Sequence, residues 1–501
     1  MVKLSPEDRQ FFSRASQLVM SNPFGEAREA RDRALSGAPE DLSRDAVVDR
    51  LLEVVEARLD RLGGRALDVR AYPDDEREML QLALLFGLFH DLAPELDQDI
   101  DDEMAGQALS PLAAVEQALS RLEAHGFSPD EADRYVAIVW QARRAYYFIL
   151  RMLVGDSPAM RRLRESLWNN VFTHDLLRYA QGLHRRMEDF STFVVGETGA
   201  GKTAAAAAIG RSGFIPYDRQ AGDFRASFTD CFLATNLSAI PPTLIESELF
   251  GHEKGAFTGA VERHLGLFSR CSPYGAVFLD EIGEVSTIIQ IKLLRVLQER
   301  RFSPVGSHED QRFAGRVIVA TNRSIEAMAQ AGDFRPDLYY RLSSDVIEVP
   351  PLRERFAEAP SELEQMVRAL LRRMLGHEDA ALCTRVLEVI ARDIPAHYPW
   401  PGNVRELEQC IRRVLLRGDA HASGWPAPSG RASDPSPAPL PEAVSLLGAT
   451  DRGRWSLDRL VSEYCRLVYD EVGSYEAAGR RLGLDWRTVK RHAQAAVTSS
   501  E

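Results

Sequence analysis

Cysteine is scarce in this 501-residue chain. Cys231, Cys271, Cys383, Cys410 and Cys465 stand far apart and in odd number, which excludes a disulfide framework and a CxxC metal clip and points to a reducing compartment. Long apolar runs are missing too. None reaches the roughly 18 residues that a membrane helix needs, and Met1–Arg14 has no apolar signal core. The expectation is a cytoplasmic protein without a membrane partner.

Charge is unevenly spread. The net charge is −13, and residues 1–150 hold 29 Asp/Glu against 17 Lys/Arg, a balance of −12. An acidic head of this kind does not seek nucleic acid. Ser474–Gln494 instead carries Arg480, Arg481, Arg487, Lys490 and Arg491 against Glu476 and Asp485, a balance of +3. A small basic tail can bind DNA.

What is present divides the chain. Residues 1 to about 150 read as helices: Asp45–Leu62, Asp74–Leu92 and Leu112–Leu153 repeat apolar residues at helical spacing, and strand-like alternation is scarce. The acidic string Asp97–Glu103 reads as a solvated loop; it lacks EF-hand spacing. His90-Asp91 reads as a helix-end pair, since no metal-ligand partners stand at useful spacing. From about Phe190 short apolar runs (Thr192–Val195, Ala276–Leu279, Arg316–Ala320, Asp345–Val349) alternate with helical segments, the signature of a parallel sheet flanked by helices. His421–Pro441 contains six prolines with Gly and Ser and reads as a linker.

Two motifs carry chemistry. Gly196-Glu197-Thr198-Gly199-Ala200-Gly201-Lys202-Thr203 fits GxxxxGK[ST] between an apolar strand and a run of helix formers, Ala204–Ile209. Such glycines let backbone N–H groups curl around phosphates. Lys202 suits the β- and γ-phosphates of ATP, and the Thr203 hydroxyl suits Mg2+. About 75 residues on, Gly275–Glu281 is an apolar strand ending in two acids. Asp280 suits the Mg2+ shell; Glu281 suits activation of an attacking water. Arg335 and Arg341, in FRPDLYYRL, are candidate charge-neutralising arginines, with surface salt bridging as the plainer alternative.

A third motif poses a question. Gly255-Ala256-Phe257-Thr258-Gly259-Ala260 sets one aromatic among five small residues, an arrangement suited neither to a core nor to an ordinary solvated loop. With GETGAGKT, ESELFGHEKGAFTGA, FLDEIGE, KLLRVLQER, VIVATNR, FRPDLYYRL, PPLRER and YPWPGNVRELE, the stretch from about Val154 to Arg413 closely resembles the AAA+ domain of sigma-54-dependent transcriptional activators, the bacterial enhancer-binding proteins. GAFTGA is close to diagnostic for them. The resemblance implies that Asn322 is the sensor I group, Arg405 the sensor II group, Arg335 and Arg341 the inter-subunit arginine fingers of a ring, usually a hexamer, and Asn236 a switch residue that holds the catalytic Glu when idle. It implies that Phe257, on a loop formed by Gly255 to Ala260, contacts sigma-54 RNA polymerase. Glycines let such a loop rise and fold back, and an exposed ring offers stacking contact.

The chain departs from the family pattern in places. Thr203 stands where the family commonly has Glu, Leu237 where it commonly has Cys, and the stretches from Ser157 to Phe190 and after the phosphate loop are longer than the family's.

Ser474–Arg491 reads as helix–turn–helix, with Gly483 in the turn, Asp485 as N-cap, and Ala477, Ala478, Leu482 and Val489 packing. It resembles the Fis-type domain that ends many of these activators. Arg487, Thr488 and Arg491 are groove candidates on double-stranded DNA and Lys490 a phosphate contact; Trp486 is read as packing. A phosphoacceptor receiver needs acids at strand ends and a late Lys, whereas residues 1–150 hold only Lys3. The head is therefore a helical sensor or a structural cap.

The expected fold is multidomain: an all-α N-terminal domain (1–153), an α/β P-loop AAA+ core (154–352) with a helical lid (353–418), a Pro-rich linker (419–450) and a small all-α helix-turn-helix domain (451–501). The expected function is ATP-driven remodelling of sigma-54 RNA polymerase by a self-associated ring bound to upstream DNA. The alternatives are a DNA-binding regulator whose ATPase only controls oligomerisation, and a general AAA+ remodelling ATPase.

Overall fold

The computed structural model describes residues 2–107, 113–420, 457–482 and 484–498. The chain divides between residues 422 and 423 into two compact units. Most of the expected linker, and Gly483, lie outside the described residues.

Among the described residues of the first unit the strands are β1 (Thr192–Val195), β2 (Tyr217–Asp218), β3 (Asp223–Phe224), β4 (Phe232–Asn236), β5 (Ala276–Asp280), β6 (Arg301–Phe302), β7 (Gln311–Arg312), β8 (Arg316–Thr321) and β9 (Asp345–Glu348). Five form one parallel sheet in the order β4-β5-β8-β1-β9. Its central strands read as unbroken apolar runs because both faces are covered. Alternate residues serve alternate faces. Phe193, Val277, Leu279, Val317 and Val319 meet the helix Thr287–Glu299 on one side. Val194, Ala276, Phe278, Ile318 and Ala320 face the other, against Ala205, Ala206 and Ala208 of the helix Lys202–Gly210.

That second core does not stop at the sheet. It runs on without a break into the N-terminal helices, through Ala145, Phe148 and Ile149 of the helix Pro129–Met152 and Leu163, Leu167 and Phe172 of the helix Pro158–Phe172. The alanine run explains how: side chains this small let a helix lie close to a sheet on one side and to other helices on the other. The boundary at 153/154 thus falls within one compact unit. The long helix starts firmly, with Ser128 and Glu131 forming a reciprocal cap.

The acidic string Asp97–Glu103 is not a loop. It lies within the helix Ala93–Met104, because Leu96 and Ile100 supply a buried stripe at helical spacing. Two of the acids meet cations: Asp97 takes two bonds from Arg143 at 2.6 Å, and Asp101 meets Arg151 at 3.2 Å. His90 and Asp91 do close a helix, Asp74–Asp91, with Asp91 paired to Arg121 at 2.6 Å.

The unusual stretch after the phosphate loop has a clear place. Its hairpin β2–β3 and flanking turns dock on the helix Pro129–Met152. Arg144, fully buried, donates to the carbonyls of Arg211 (2.8 Å) and Gly213 (2.9 Å); Gln141 donates to that of Ser212 (2.8 Å). Trp140 stacks on Phe224 with ring centres 5.8 Å apart. These bonds satisfy backbone groups that burial would otherwise leave unpaired.

A helical lid follows the sheet: Glu362–Leu375, Ala380–Asp393 and Asn403–Arg417 close their own core around Val367, Val386, Leu407 and Ile411. A buried Arg355–Glu362 ion pair anchors its base.

The second unit, within its described residues, is three helices, Leu457–Val472, Tyr475–Leu482 and Trp486–Thr498, around Cys465, Val468, Ala478, Val489 and Ala493.

Candidate nucleotide site, surface loop and tail

The phosphate loop crosses from β1 to the helix Lys202–Gly210 at the carboxyl edge of the sheet, where open α/β sheets bind ligands. Gly199 (φ 76°) is required twice over: the backbone is left-handed, and a Cβ would lie 2.4 Å from the Gly402 carbonyl oxygen. The lid therefore presses directly on the loop.

The Lys202 ammonium turns inward and donates to the carbonyls of Gly196 (2.9 Å) and Glu197 (3.2 Å). Burial draws it below the ordinary lysine range, against the pull of the Glu281 and Asp280 carboxylates. Asp280 ends β5, and its carboxylate accepts from the Glu281 N–H at 3.1 Å. Glu281 is left-handed at φ 57°, an uncommon conformation for such a residue and one concentrated at functional sites. Asn322 ties the two halves together: its N–H donates to Glu281 Oε2 (3.2 Å) and its amide to Thr198 Oγ1 (3.0 Å).

Thr198 to Thr203, Asn236, Asp280, Glu281 and Arg405 line one cavity of about 1480 Å3. Asn236 does not hold Glu281 here. It pairs in register with Asp280, and its side chain accepts from Ser238 N–H (3.0 Å) and Oγ (2.7 Å), closing a turn. Arg335 and Arg341 are not part of this cavity's lining. Arg335 pairs with Asp337 at 2.6 Å, and Arg341 donates to the Leu297 carbonyl at 3.1 Å.

Phe257 stands 40% exposed at its loop tip. Gly255 (φ 81°) and Gly259 (φ 104°) flank it in open space, and the Gly255 N–H bonds to the Ala260 carbonyl at 2.8 Å, closing the loop base. The ring's aromatic neighbour is His252, edge-on at 4.9 Å. Val261 and Leu265 extend the apolar surface at 73% and 51% exposure.

Residues 172–348 match the Sigma-54 interaction domain family. The Transcriptional regulatory protein ZraR of Klebsiella oxytoca is 36% identical over 349 residues, 67% of this chain and 67% of that protein. The chain belongs to the sigma-54-dependent transcriptional activators. The Nif-specific regulatory protein of Azotobacter vinelandii is 38% identical over 356 residues, covering 69% of this chain and 59% of the relative. The Hydrogenase transcriptional regulatory protein HoxA of Bradyrhizobium diazoefficiens is 39% identical over 269 residues, 53% of this chain and 52% of the relative. The chain spans just over half the length of those last two. Its parallel α/β core is the AAA+ core of this family.

Two residues of this activator's site were passed over in the sequence. Asn403, fully buried, donates to Glu197 Oε2 and to the Thr198 carbonyl, both at 3.1 Å, while its own oxygen accepts the Leu352 N–H at 2.8 Å. Arg353 pairs with Glu197 at 2.7 Å. These bonds, the Arg353 pairing foremost, hold the Glu197 carboxyl below its usual range. The strings GNVRE and PPLRER contained both residues; nothing local marked them as loop partners.

In the second unit, Asp485 caps the last helix by accepting the Arg487 N–H at 2.9 Å. Arg487, Lys490 and Arg491 are exposed and Thr488 partly so, at spacings that put Arg487 and Arg491 on one face. Trp486 is not packed away: it is 41% exposed, with the Arg487 guanidinium 5.5 Å from its ring. Gly479 lets the neighbouring helix approach, since a Cβ there would sit 2.8 Å from the Leu484 carbonyl. Among the described residues no single helix is long and apolar enough to cross a membrane, and no three His, Cys, Asp or Glu gather as a metal cage.

Proposed function

We propose that this chain is an ATPase that assembles into a ring, a hexamer in its family, and uses ATP hydrolysis to remodel sigma-54 RNA polymerase from closed to open promoter complexes, held at an upstream DNA site by the helix-turn-helix tail. The observation that carries the reading is the joint presence, in one compact unit, of a cavity lined by the phosphate loop, Asp280, Glu281 and Arg405 and an exposed phenyl ring on a glycine-flanked loop. On this reading the tail acts as a separate module, the all-α head and the lid are built onto the ATPase core, and the protein works in the cytoplasm.

The phosphate-loop N–H groups and Lys202 bind the ATP phosphates, and Arg405 reaches in from the lid. Thr203 and Asp280 are the groups that would hold Mg2+. The set fits, because Mg2+ takes one or two protein oxygens and completes its shell with phosphates and water. When bound, the ion supplies charge neutralisation to the transferring phosphate. Glu281 accepts the proton of the attacking water, oriented by the Asn322 backbone. Arg335 and Arg341 serve a neighbour's cavity, and Asn236 engages Glu281 in another nucleotide state. Phe257 contacts sigma-54 with Gly255, Ala256, Thr258, Gly259 and Ala260 shaping the tip. Arg487, Thr488, Lys490 and Arg491 meet DNA.

The test uses two variants of the full chain. Lys202→Ala should bind no nucleotide. Glu281→Ala should bind ATP with turnover lowered by about 10²–10⁴, and neither should open a sigma-54 promoter. Wild-type turnover in Glu281→Ala would overturn the assignment of the base.

A further inference from the structure

A second cavity, of about 370 Å3, is lined by helices of the head together with Trp168, Leu176 and Ala180, and shares no residue with the phosphate loop. That volume lies within the range of small-molecule pockets, about 300–1,000 Å3. Its walls are apolar and rich in rings: Phe86, Phe89, Tyr146 and Trp168 contribute, with Leu85 and Ile138. A closed core would fill such a space with side chains.

Two of the arginines that line it are already paired. Arg143 is held by Asp97 through two bonds of 2.6 Å, and Arg28 by Asp32 at 2.9 Å. Arg44, Asp45 and Asp49 are exposed and also line the cavity, Arg44 donating to the Pro23 carbonyl. His90 differs. Its ring touches Phe86 (4.7 Å) and Phe89 (5.1 Å) edge-on and makes no side-chain hydrogen bond to the described protein. Burial holds it uncharged, at about 4. A neutral imidazole offers one donor and one acceptor, and here both are unclaimed beside an apolar space.

We propose that this cavity is a binding site for an uncharged aromatic molecule bearing one hydroxyl or carbonyl group, with the ring among Phe86, Phe89, Tyr146 and Trp168 and the polar group on His90. An acid of the same shape binds more weakly, because taking a carboxylate out of water into this apolar space costs far more than taking a hydroxyl, and the lining gives it no net positive charge, Arg28, Arg44 and Arg143 being matched in number by Asp32, Asp45 and Asp49. The site lies on the helix Pro129–Met152, whose Trp140, Gln141 and Arg144 grip the ATPase core on its other side. The assignment is independent of the ATPase reading, and binding alone tests it.

The experiment is calorimetric titration of the full chain with 1-naphthol, naphthalene and 1-naphthoate. One 1-naphthol should bind per chain, with 1-naphthoate at least about tenfold weaker. Ala142→Phe, which places a ring in the cavity, should weaken 1-naphthol by about tenfold or more. His90→Leu should weaken 1-naphthol about fivefold and leave naphthalene unchanged. Should Ala142→Phe fail to fold, the wild-type comparison and the His90→Leu split decide. No saturable binding of 1-naphthol, equal binding of the acid, or equal loss of naphthol and naphthalene in His90→Leu would overturn the proposal.

Discussion

The side-chain amide of Asn403 lies 3.1 Å from the Glu197 carboxylate, so the lid is bonded directly to the phosphate loop. The contact is part-buried and made by a residue at φ 52°, a conformation Asn tolerates better than most. Lid position and loop shape are thereby one variable. Replacing Asn403 by Ala leaves the Leu352 N–H and the Thr198 carbonyl short of partners and removes the short polar side chain that makes the left-handed region tolerable. Thermal unfolding should show a loss of about 2–4 kcal/mol, and ATP should bind about tenfold more weakly. Unchanged ATP affinity would separate the lid from the loop.

The two candidate finger arginines are occupied inside their own subunit, one by Asp337 and the other by a backbone carbonyl. The first is an exposed ion pair of modest worth and the second a part-buried bond to one carbonyl; both are open to exchange when a neighbour's nucleotide arrives. Mixing Arg341→Ala with Lys202→Ala subunits should restore part of the ATPase lost in each alone, because some interfaces then combine an intact arginine with an intact lysine. Complete absence of activity in every mixture would place Arg341 outside a shared site.

His90 gives the head a defined response to acid. Burial, with the nearby Arg28 and Arg143 cations, lowers its value from 6.5 to about 4, against a smaller opposing pull from Asp91. A group depressed in the folded state stabilises the fold above its unfolded value. That contribution is lost as the pH falls from about 6.5 towards 4. Wild-type stability should drop over that window by on the order of 3 kcal/mol from this residue, and His90→Phe should flatten the slope there. An identical profile in the variant would show that His90 titrates normally.

Legibility followed locality. GETGAGKT, FLDEIGE and GAFTGA could be read because a few consecutive residues make each structure: a strand, a glycine turn and a helix start. The strand β4 went unread because Phe232–Asn236 mixes polar and small residues and lies only part-buried at the sheet edge. The acidic helix reads as a loop because the six polar residues of Asp97–Glu103 hide the stripe made by Leu96 and Ile100. The grip of Arg144 on the carbonyls of Arg211 and Gly213 joins residues 67 and 69 positions apart, and periodicity carries no information about such a pair. Yet the stretch that receives it was recognisable as a departure from the family pattern, and that departure is where the head docks.

The central claim is mechanical: nucleotide turnover reaches the polymerase through the phenyl ring of Phe257. The direct measurement is open-complex formation on a sigma-54 promoter by the full chain carrying Phe257→Ala, with ATPase activity recorded in the same preparation. The side chain is exposed, so its removal should leave folding and ATP turnover near wild type while open complexes fall to background. Open complexes formed at the wild-type rate by that variant would contradict the account.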